Sequence, residues 1–260
     1  CASRDTPIGC WSSGAPTTAT QIGAGETDVP QAYDELLQGW DHYHRETAEE
    51  VTKAISNFEK AIELDPGYGR AHAALAAAYW WRVNLSWDYS AGDEFESDYE
   101  HMIEHLALAL EKPTSVAYRV SAEYLAQQGH FSEALGQIDK AMILGPSESD
   151  SYISKARILI AMGRAEEAET ATRLAMRLNP QYPPDYLRVL GRALFHQRRY
   201  EEAAQAMERV VSLEPSVYMD YATLTAIYGY LGQTEDGNSA IKKYTEVAVK
   251  STSSPFTVQE

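Results

Sequence analysis

The chain has 260 residues, of which 44% are hydrophobic, and its formal net charge is −16. This acidity excludes nucleic acid as the main ligand, because phosphate backbones are bound through clustered Lys and Arg, and it excludes attachment to an anionic membrane surface through protein charge alone. No apolar run approaches the ~20 residues that a membrane-spanning helix requires.

The first segment, residues 1–29, is predicted to be a flexible, extended arm, because it is rich in Ser, Thr, Gly, Ala and Pro and has no apolar period. Its cysteines, Cys1 and Cys10, are the only two in the chain. They could close a small disulfide loop outside the cytoplasm, but they are too few for a zinc site.

Cys1 at the head of such an arm also resembles the lipidated start of a mature bacterial lipoprotein; the alternative is a fragment cut from a longer chain. We therefore expect an extracytoplasmic location (periplasmic, outer-membrane-anchored or extracellular), with membrane contact only through a lipid on Cys1.

Helical patterning begins near Pro30 and continues to about Lys250 without strand-like alternation. Prolines end successive apolar segments at intervals of 33, 34 and 35 residues; they are Pro113, Pro146, Pro180 and Pro215. Two antiparallel helices of ~12–15 residues cannot close a core alone, so each unit must pack on the next. Six helix pairs are predicted, at about 30–66, 67–113, 114–146, 147–180, 181–215 and 216–249, with a C-terminal tail over 251–260.

These units resemble tetratricopeptide repeats, whose period is about 34 residues. The resemblance is carried by the phrase Phe-Glu-Lys-Ala-Ile-Glu-Leu-Asp-Pro at 58–66 and by the turn-to-helix starts at 129–134, 162–168 and 197–203. Some stretches, such as 61–68 and 179–187, are similar to repeat arrays attached to bacterial nucleotide cyclases and regulators. No cyclase domain is present, so no catalytic residue is carried over. The resemblance implies an all-α fold, a right-handed α-solenoid of 5–6 antiparallel helix pairs, whose first helices line a concave groove that binds protein or peptide.

The second unit carries an insertion that is rich in aromatic and acidic residues. Large aromatic side chains dominate interface anchors, so four of them are candidate partner-binding residues. The alternative is that they pack the insertion onto its own solenoid. Asn84-Leu85-Ser86 also has the form of a glycosylation sequon. The four aromatic candidates are Trp80, Trp81, Trp87 and Tyr89.

His101 and His105 lie one helical turn apart, with Glu104 between them, in the order of an inverted zinc-protease motif. No third ligand is identifiable, so we predict no metal and no cofactor. The chain also lacks a glycine-rich phosphate loop and a Gly-x-Ser-x-Gly motif, and its repeat body contains no cysteine. We therefore expect it not to be an enzyme.

The middle of the array has a distinct charge pattern. Residues 147–215 carry as many bases as acids, whereas residues 1–112 are strongly acidic. A basic lining inside an acidic shell suits an acidic peptide, a C-terminal carboxylate, or a sulfated or phosphorylated group. The alternative is pairing of these arginines with Glu123, Asp150 or Asp185 of the same chain. Projection of each unit onto the repeat places these residues on the concave face: Arg119, Glu123, Arg157, Arg188, Arg192 and His196.

We therefore expect a non-catalytic scaffold or adaptor that holds a protein or peptide segment in the groove, where the arginines suit an acidic segment. Two alternatives stay open. The chain could be a structural subunit that assembles head-to-tail into a fibre or ring through the solenoid ends and the N-terminal arm, as a homo-oligomer. It could instead be the regulatory module of a larger signalling protein.

Overall fold

The computed structural model describes residues 27–45, 47–85 and 92–252. Within these ranges the chain forms twelve α-helices and no β-strand. They are α1 (Pro30–Tyr43), α2 (Ala48–Leu64), α3 (Gly69–Leu85), α4 (Gly92–Ala109), α5 (Ser115–Gln127), α6 (Phe131–Leu144), α7 (Ser149–Ala161), α8 (Ala165–Leu178), α9 (Pro184–His196), α10 (Tyr200–Leu213), α11 (Tyr218–Leu231) and α12 (Thr234–Thr252). Four predicted site residues, Cys1, Cys10, Trp87 and Tyr89, lie outside the described residues.

The helices form an all-α repeat superhelix. Each odd-numbered helix, the first helix of its pair, packs against the helix that follows it, and each pair packs on the next. The short connections make successive helices antiparallel. First helices α3, α5, α7 and α9 also lie side by side. The apolar core therefore runs along the array as a series of clusters between neighbouring pairs.

Glycine permits close crossing of the two helices in two of the pairs. A Cβ atom at Gly39 would lie 2.2 Å from Cε1 of Phe58, and one at Gly191 would lie 2.9 Å from Sδ of Met207. Real side chains do not tolerate these distances. Gly39 in α1 and Gly191 in α9 therefore mark the same place in their repeats.

The turn inside a pair has a left-handed residue, here called the turn residue. Its φ is 80° at Gly129, 75° at Gly163 and 70° at Gly232, and 62° at Arg198. In each case the next amide donates to the carbonyl five residues earlier, as Arg199 does to Leu194 at 3.0 Å, which is the pattern that closes a helix C-terminus. The turn residue therefore supplies a common register for the last four pairs.

The predicted insertion in the second pair lengthens both helices. α3 has 17 residues and α4 has 18, whereas the helices from α5 to α11 have 13 or 14. Trp80 and Trp81 consequently lie within α3. None of the described helices combines the length and the hydropathy that a membrane crossing needs.

Candidate functional site

The six polar residues predicted to line the groove lie on three neighbouring first helices, a surface here called the arginine face. Arg119 and Glu123 are on α5, and Arg157 is on α7. α9 carries the other three: Arg188, Arg192 and His196. Because α5 packs beside α7 and α7 beside α9, the structure brings the six onto adjacent helices. Their environments differ, and this difference decides which of them can meet a ligand.

Arg119 is buried and joins three helices. Its Nη1 donates to Oε1 of Glu123 at 3.3 Å, and Glu123 also accepts from the Ser154 hydroxyl of α7. Burial lowers the pKa of Arg119, but the charge of Glu123, the Tyr43 hydroxyl of α1 and Asp150 more than offset this and raise it. Burial in turn raises the pKa of Tyr43 to about 12. Arg119 and Glu123 are therefore occupied by contacts within the chain.

Arg188 ties α9 to the following helix pair. Its Nε and Nη2 donate to the two carboxylate oxygens of Asp220 on α11 at 2.7 and 2.8 Å. Nη2 also donates to Oε2 of Glu214 at 2.7 Å. Such a two-pronged charge-assisted contact is strong and directional. Arg188 thus belongs to the joint between pairs.

Arg157 is paired but accessible. It donates to Asp185 on α9, yet 42% of its side chain remains exposed. Burial raises the pKa of Asp185, but the charges of Arg157 and Arg188 outweigh this and hold it below its ordinary value. An incoming carboxylate would compete with Asp185 for Arg157.

Arg192 has no ion pair among the described residues. It lies six residues before its turn residue on α9, as Arg157 does on α7. Arg157 finds Asp185 on the next first helix, whereas the place equivalent to Asp185 on α11 is taken by exposed Met219. Arg192 is exposed at the surface, but partial desolvation and the charge of Arg157 still lower its pKa, and Asp185 opposes this only in part. Its guanidinium therefore lies beside another cation, a setting that favours an anion.

His196, one turn after Arg192 on α9, is also exposed. The arginine face therefore reduces to Arg157, Arg192 and His196 as accessible polar groups. Reading the sequence missed Tyr43, Met219 and Asp220, which decide which arginines are paired. Only alignment of each pair on its turn residue would have revealed Met219 and Asp220.

The aromatic candidates that the structure describes are packed within the solenoid. Trp80 is buried in the core cluster of the first pairs and meets Tyr124 edge-on, with ring centroids 6.5 Å apart. Trp81 is partly buried against the same cluster. Asn84, in the sequon, donates to the Trp80 carbonyl at 2.8 Å. For Trp80 and Trp81 the packing alternative accounts for the position of the side chain.

The histidines of α4 form aromatic contacts. Nδ1 of His105 lies 2.9 Å from Nδ1 of His72, whose Nε2 donates to the Pro66 carbonyl at 3.1 Å. Since that carbonyl only accepts, neutral His72 must accept at Nδ1, so His105 donates through Nδ1. His101 packs instead on Tyr79, with ring centroids 5.2 Å apart. In the described part of the chain no three His, Cys, Asp or Glu side chains form a group able to hold a metal ion.

The part of the chain that matches known protein families includes most of the helices that carry the arginine face. Two family models, both described as tetratricopeptide repeat, match residues 120–183 and 184–217. The matched span contains all of α6–α10 and most of α5, and it includes Glu123 and all the arginines of the arginine face except Arg119.

The relatives are longer proteins. Protein STIP1 homolog of Dictyostelium discoideum is 30% identical over 86 residues, which are 33% of this chain and 15% of that protein. Small glutamine-rich tetratricopeptide repeat-containing protein 2 of Mycosarcoma maydis is 28% identical over 102 residues, 36% of this chain and 29% of that protein. The chain thus spans less than a third of these relatives.

Solved structures resemble the whole array. A chain of the APC/C hetero-tetramer Cut9–Hcn1 superposes with a TM-score of 0.65 at 14% identity, over 84% of this chain and 40% of that one. At this identity the likeness concerns the fold alone.

Proposed function

Because this chain is a tetratricopeptide repeat protein, we propose that it is a non-catalytic adaptor that holds an acidic segment of a protein partner on the arginine face. The observation that carries the proposal is Arg192, which is exposed, lacks an ion pair among the described residues, and lies near the partly exposed Arg157. Repeat solenoids of this kind use such extended surfaces to bind protein segments.

The charges of the chain favour an acidic occupant at this place. A partner carboxylate at Arg192 gains a charge-assisted hydrogen bond without breaking one within the chain, and such bonds contribute roughly 1.5–3 kcal/mol. At Arg157 it would displace Asp185, which retains Arg188 as a second partner at 3.5 Å. The strongly acidic residues 1–112 repel the same ligand, so the favourable contacts are confined to α7 and α9.

Selection from a random peptide library on the full-length protein tests this proposal. We expect the selected peptides to be enriched in Asp and Glu, or to be held through a C-terminal carboxylate, and to bind more weakly as salt is raised.

The variant for this test is Arg157→Ala/Arg192→Ala, and the matched control is Arg209→Ala, which removes an exposed arginine on α10, outside the arginine face. The double variant should weaken binding at least tenfold and the control should not. Peptides without acidic enrichment, or equal binding by the double variant, would refute the proposal.

A further inference from the structure

The last helix pair leaves a groove between α11 and α12. Its lining includes Thr225, Tyr228, Gly229, Gly237, Asn238 and Ile241, together with residues 232–234. Gly229 and Gly237 have no side chain, so the backbone of another element could approach closely there. In the inner pairs, the corresponding groove receives the first helix of the next pair.

Ile241 indicates that this groove corresponds to a surface that is covered in the inner pairs. It lies nine residues after its turn residue, a place taken in the three preceding pairs by Ile138, Thr172 and Met207, each with no exposed surface. Met207 lies against Gly191 of its own pair and belongs to a core cluster that also contains Leu224 and Ile227 of α11. Ile241 itself is 54% exposed. An apolar residue at a core position of the repeat thus faces solvent.

The opposite end of the array carries the complementary face. Leu37 precedes Gly39 by two residues, as Val189 precedes Gly191. Val189 is 2% exposed and packs into the cluster formed with the preceding pair, whereas Leu37 is 47% exposed. The outer face of α1 is therefore the kind of surface that inner first helices bury against the pair before them.

We propose that α1 of one copy of this chain docks in the α11/α12 groove of another copy, so that the protein associates head-to-tail. The joint repeats the geometry of the inner joints, in which a first helix runs antiparallel to the helix before it. This surface is separate from the arginine face and does not depend on the function proposed there.

The charges of the two surfaces match in this antiparallel orientation. The amino-terminal half of α1, with Asp34, meets the carboxyl-terminal half of α12, with Lys250. The other end of α1 is followed by Arg45, which is partly exposed and pairs with Asp41 and Glu50 of its own chain. In the docked arrangement Arg45 meets the acidic first turn of α12, which contains Glu235 and Asp236. Each end of the joint therefore brings a basic residue close to an acidic one.

A second electrostatic feature favours an acidic helix as the occupant. In two inner joints a glutamate of the second helix accepts a hydrogen bond from a tyrosine of the next first helix. Glu59 accepts from Tyr79 at 3.2 Å, and Glu208 accepts from Tyr228 at 2.9 Å.

The equivalent place in α12 is Lys242, which is exposed. The residue of α1 that is equivalent to the tyrosine is His42, which follows Asp41 in the sequence. A carboxylate opposite this lysine would complement its charge. Asp41, which pairs with Arg45 within its own chain, is next to that place in α1.

Sedimentation velocity of the full-length protein over a wide concentration range tests the joint. The wild type should gain mass with concentration, while Leu37→Asp and Ile241→Asp should each raise the association Kd at least tenfold. Both sites are exposed, so the variants should keep the helical content of the wild type. Ile143→Asp, at a 78% exposed residue of α6, is the matched control and should associate like the wild type.

A mixture of the two variants distinguishes this joint from any symmetric contact. Leu37→Asp keeps an intact groove and Ile241→Asp keeps an intact α1, so the mixture should form a one-to-one dimer and nothing larger. Lys242→Glu should weaken association, and Asp41→Lys in the same chain should restore it. A wild type that stays monomeric at all concentrations, or variants that associate as the wild type does, or a mixture that forms no dimer, would overturn the proposal.

Discussion

At the scale of single residues, the turn residue shows how the repeat constrains backbone conformation. Gly129, Gly163 and Gly232 adopt positive φ without steric cost, whereas Arg198 adopts φ 62° with a side chain. The left-handed conformation costs a non-glycine residue roughly 1–2 kcal/mol. Part of that is offset because glycine loses more backbone entropy on folding.

Substitution at the turn should therefore have opposite effects in two units. We expect Arg198→Gly to raise the free energy of unfolding by about 0.5–1 kcal/mol, and Gly163→Ala to lower it by about 1 kcal/mol. Urea denaturation of both variants measures this difference. A loss of stability in Arg198→Gly would mean that the arginine side chain makes a stabilising contact that outweighs its backbone strain.

Protonation of His105 should change the free energy of unfolding measurably. Burial, together with the neighbouring His72, lowers its pKa to about 4, against about 6.5 in an unfolded chain. The folded state therefore favours neutral His105, and this contribution is complete above pH ~6.5 and is lost as pH falls toward 4. Its size is at most roughly 3 kcal/mol.

Acid titration of His105→Gln tests this assignment. The free energy of unfolding of the wild type should fall more steeply between pH 6.5 and 4 than that of the variant. His130→Gln, at an exposed histidine, should keep the wild-type slope. Equal slopes for the wild type and His105→Gln would contradict the account of the pair.

At the scale of elements, the joint between α9 and α11 combines an apolar cluster with a buried ion pair. Asp220 is buried, and Arg188 contacts both of its oxygens. Removing one partner of a buried pair leaves an uncompensated charge, which costs about 3–5 kcal/mol. In a repeat array that loss should be local to the joint, because each pair contacts only its neighbours.

Arg188→Ala should therefore loosen the last pair selectively. We expect the amides of α11 and α12 to lose hydrogen-exchange protection while those of α7 and α8 keep most of theirs. Arg192→Ala, one turn further along α9, removes an arginine that has no ion pair in the part of the chain that the structure describes, and it should leave protection unchanged. Uniform loss across the array in Arg188→Ala would contradict a local joint.

The same elements show what the sequence allows one to predict. The ~34-residue period and the turn glycines predict the paired helices, because glycine at positive φ and proline after a helix are local requirements. The register of the repeat places the arginines on the first helices. Which of them form ion pairs depends on residues of the neighbouring unit, so it could not be predicted from one unit alone. Arg157 pairs with Asp185 of the next first helix, whereas the equivalent place beside Arg192 is taken by Met219. The aromatic segment stayed ambiguous, because Trp and Tyr occur in buried helices as well as at interfaces.

At the scale of the whole molecule, the array separates two kinds of surface. Its middle presents Arg157 and Arg192 within an otherwise acidic chain, and its two ends present Leu37 and Ile241 at positions that the inner pairs bury. Loss of one surface should leave the other intact, since the helix pairs are joined only to their neighbours. Binding of a peptide and self-association can therefore be measured independently.

The most direct measurement is a calorimetric titration of the full-length protein with an acidic peptide from the library selection, at low and at high salt. We expect Arg192→Ala to raise the Kd at least tenfold at low salt, Arg209→Ala to leave it unchanged, and salt to reduce the difference between wild type and Arg192→Ala. An unchanged Kd in Arg192→Ala would contradict the claim that the exposed arginine on α9 anchors the partner.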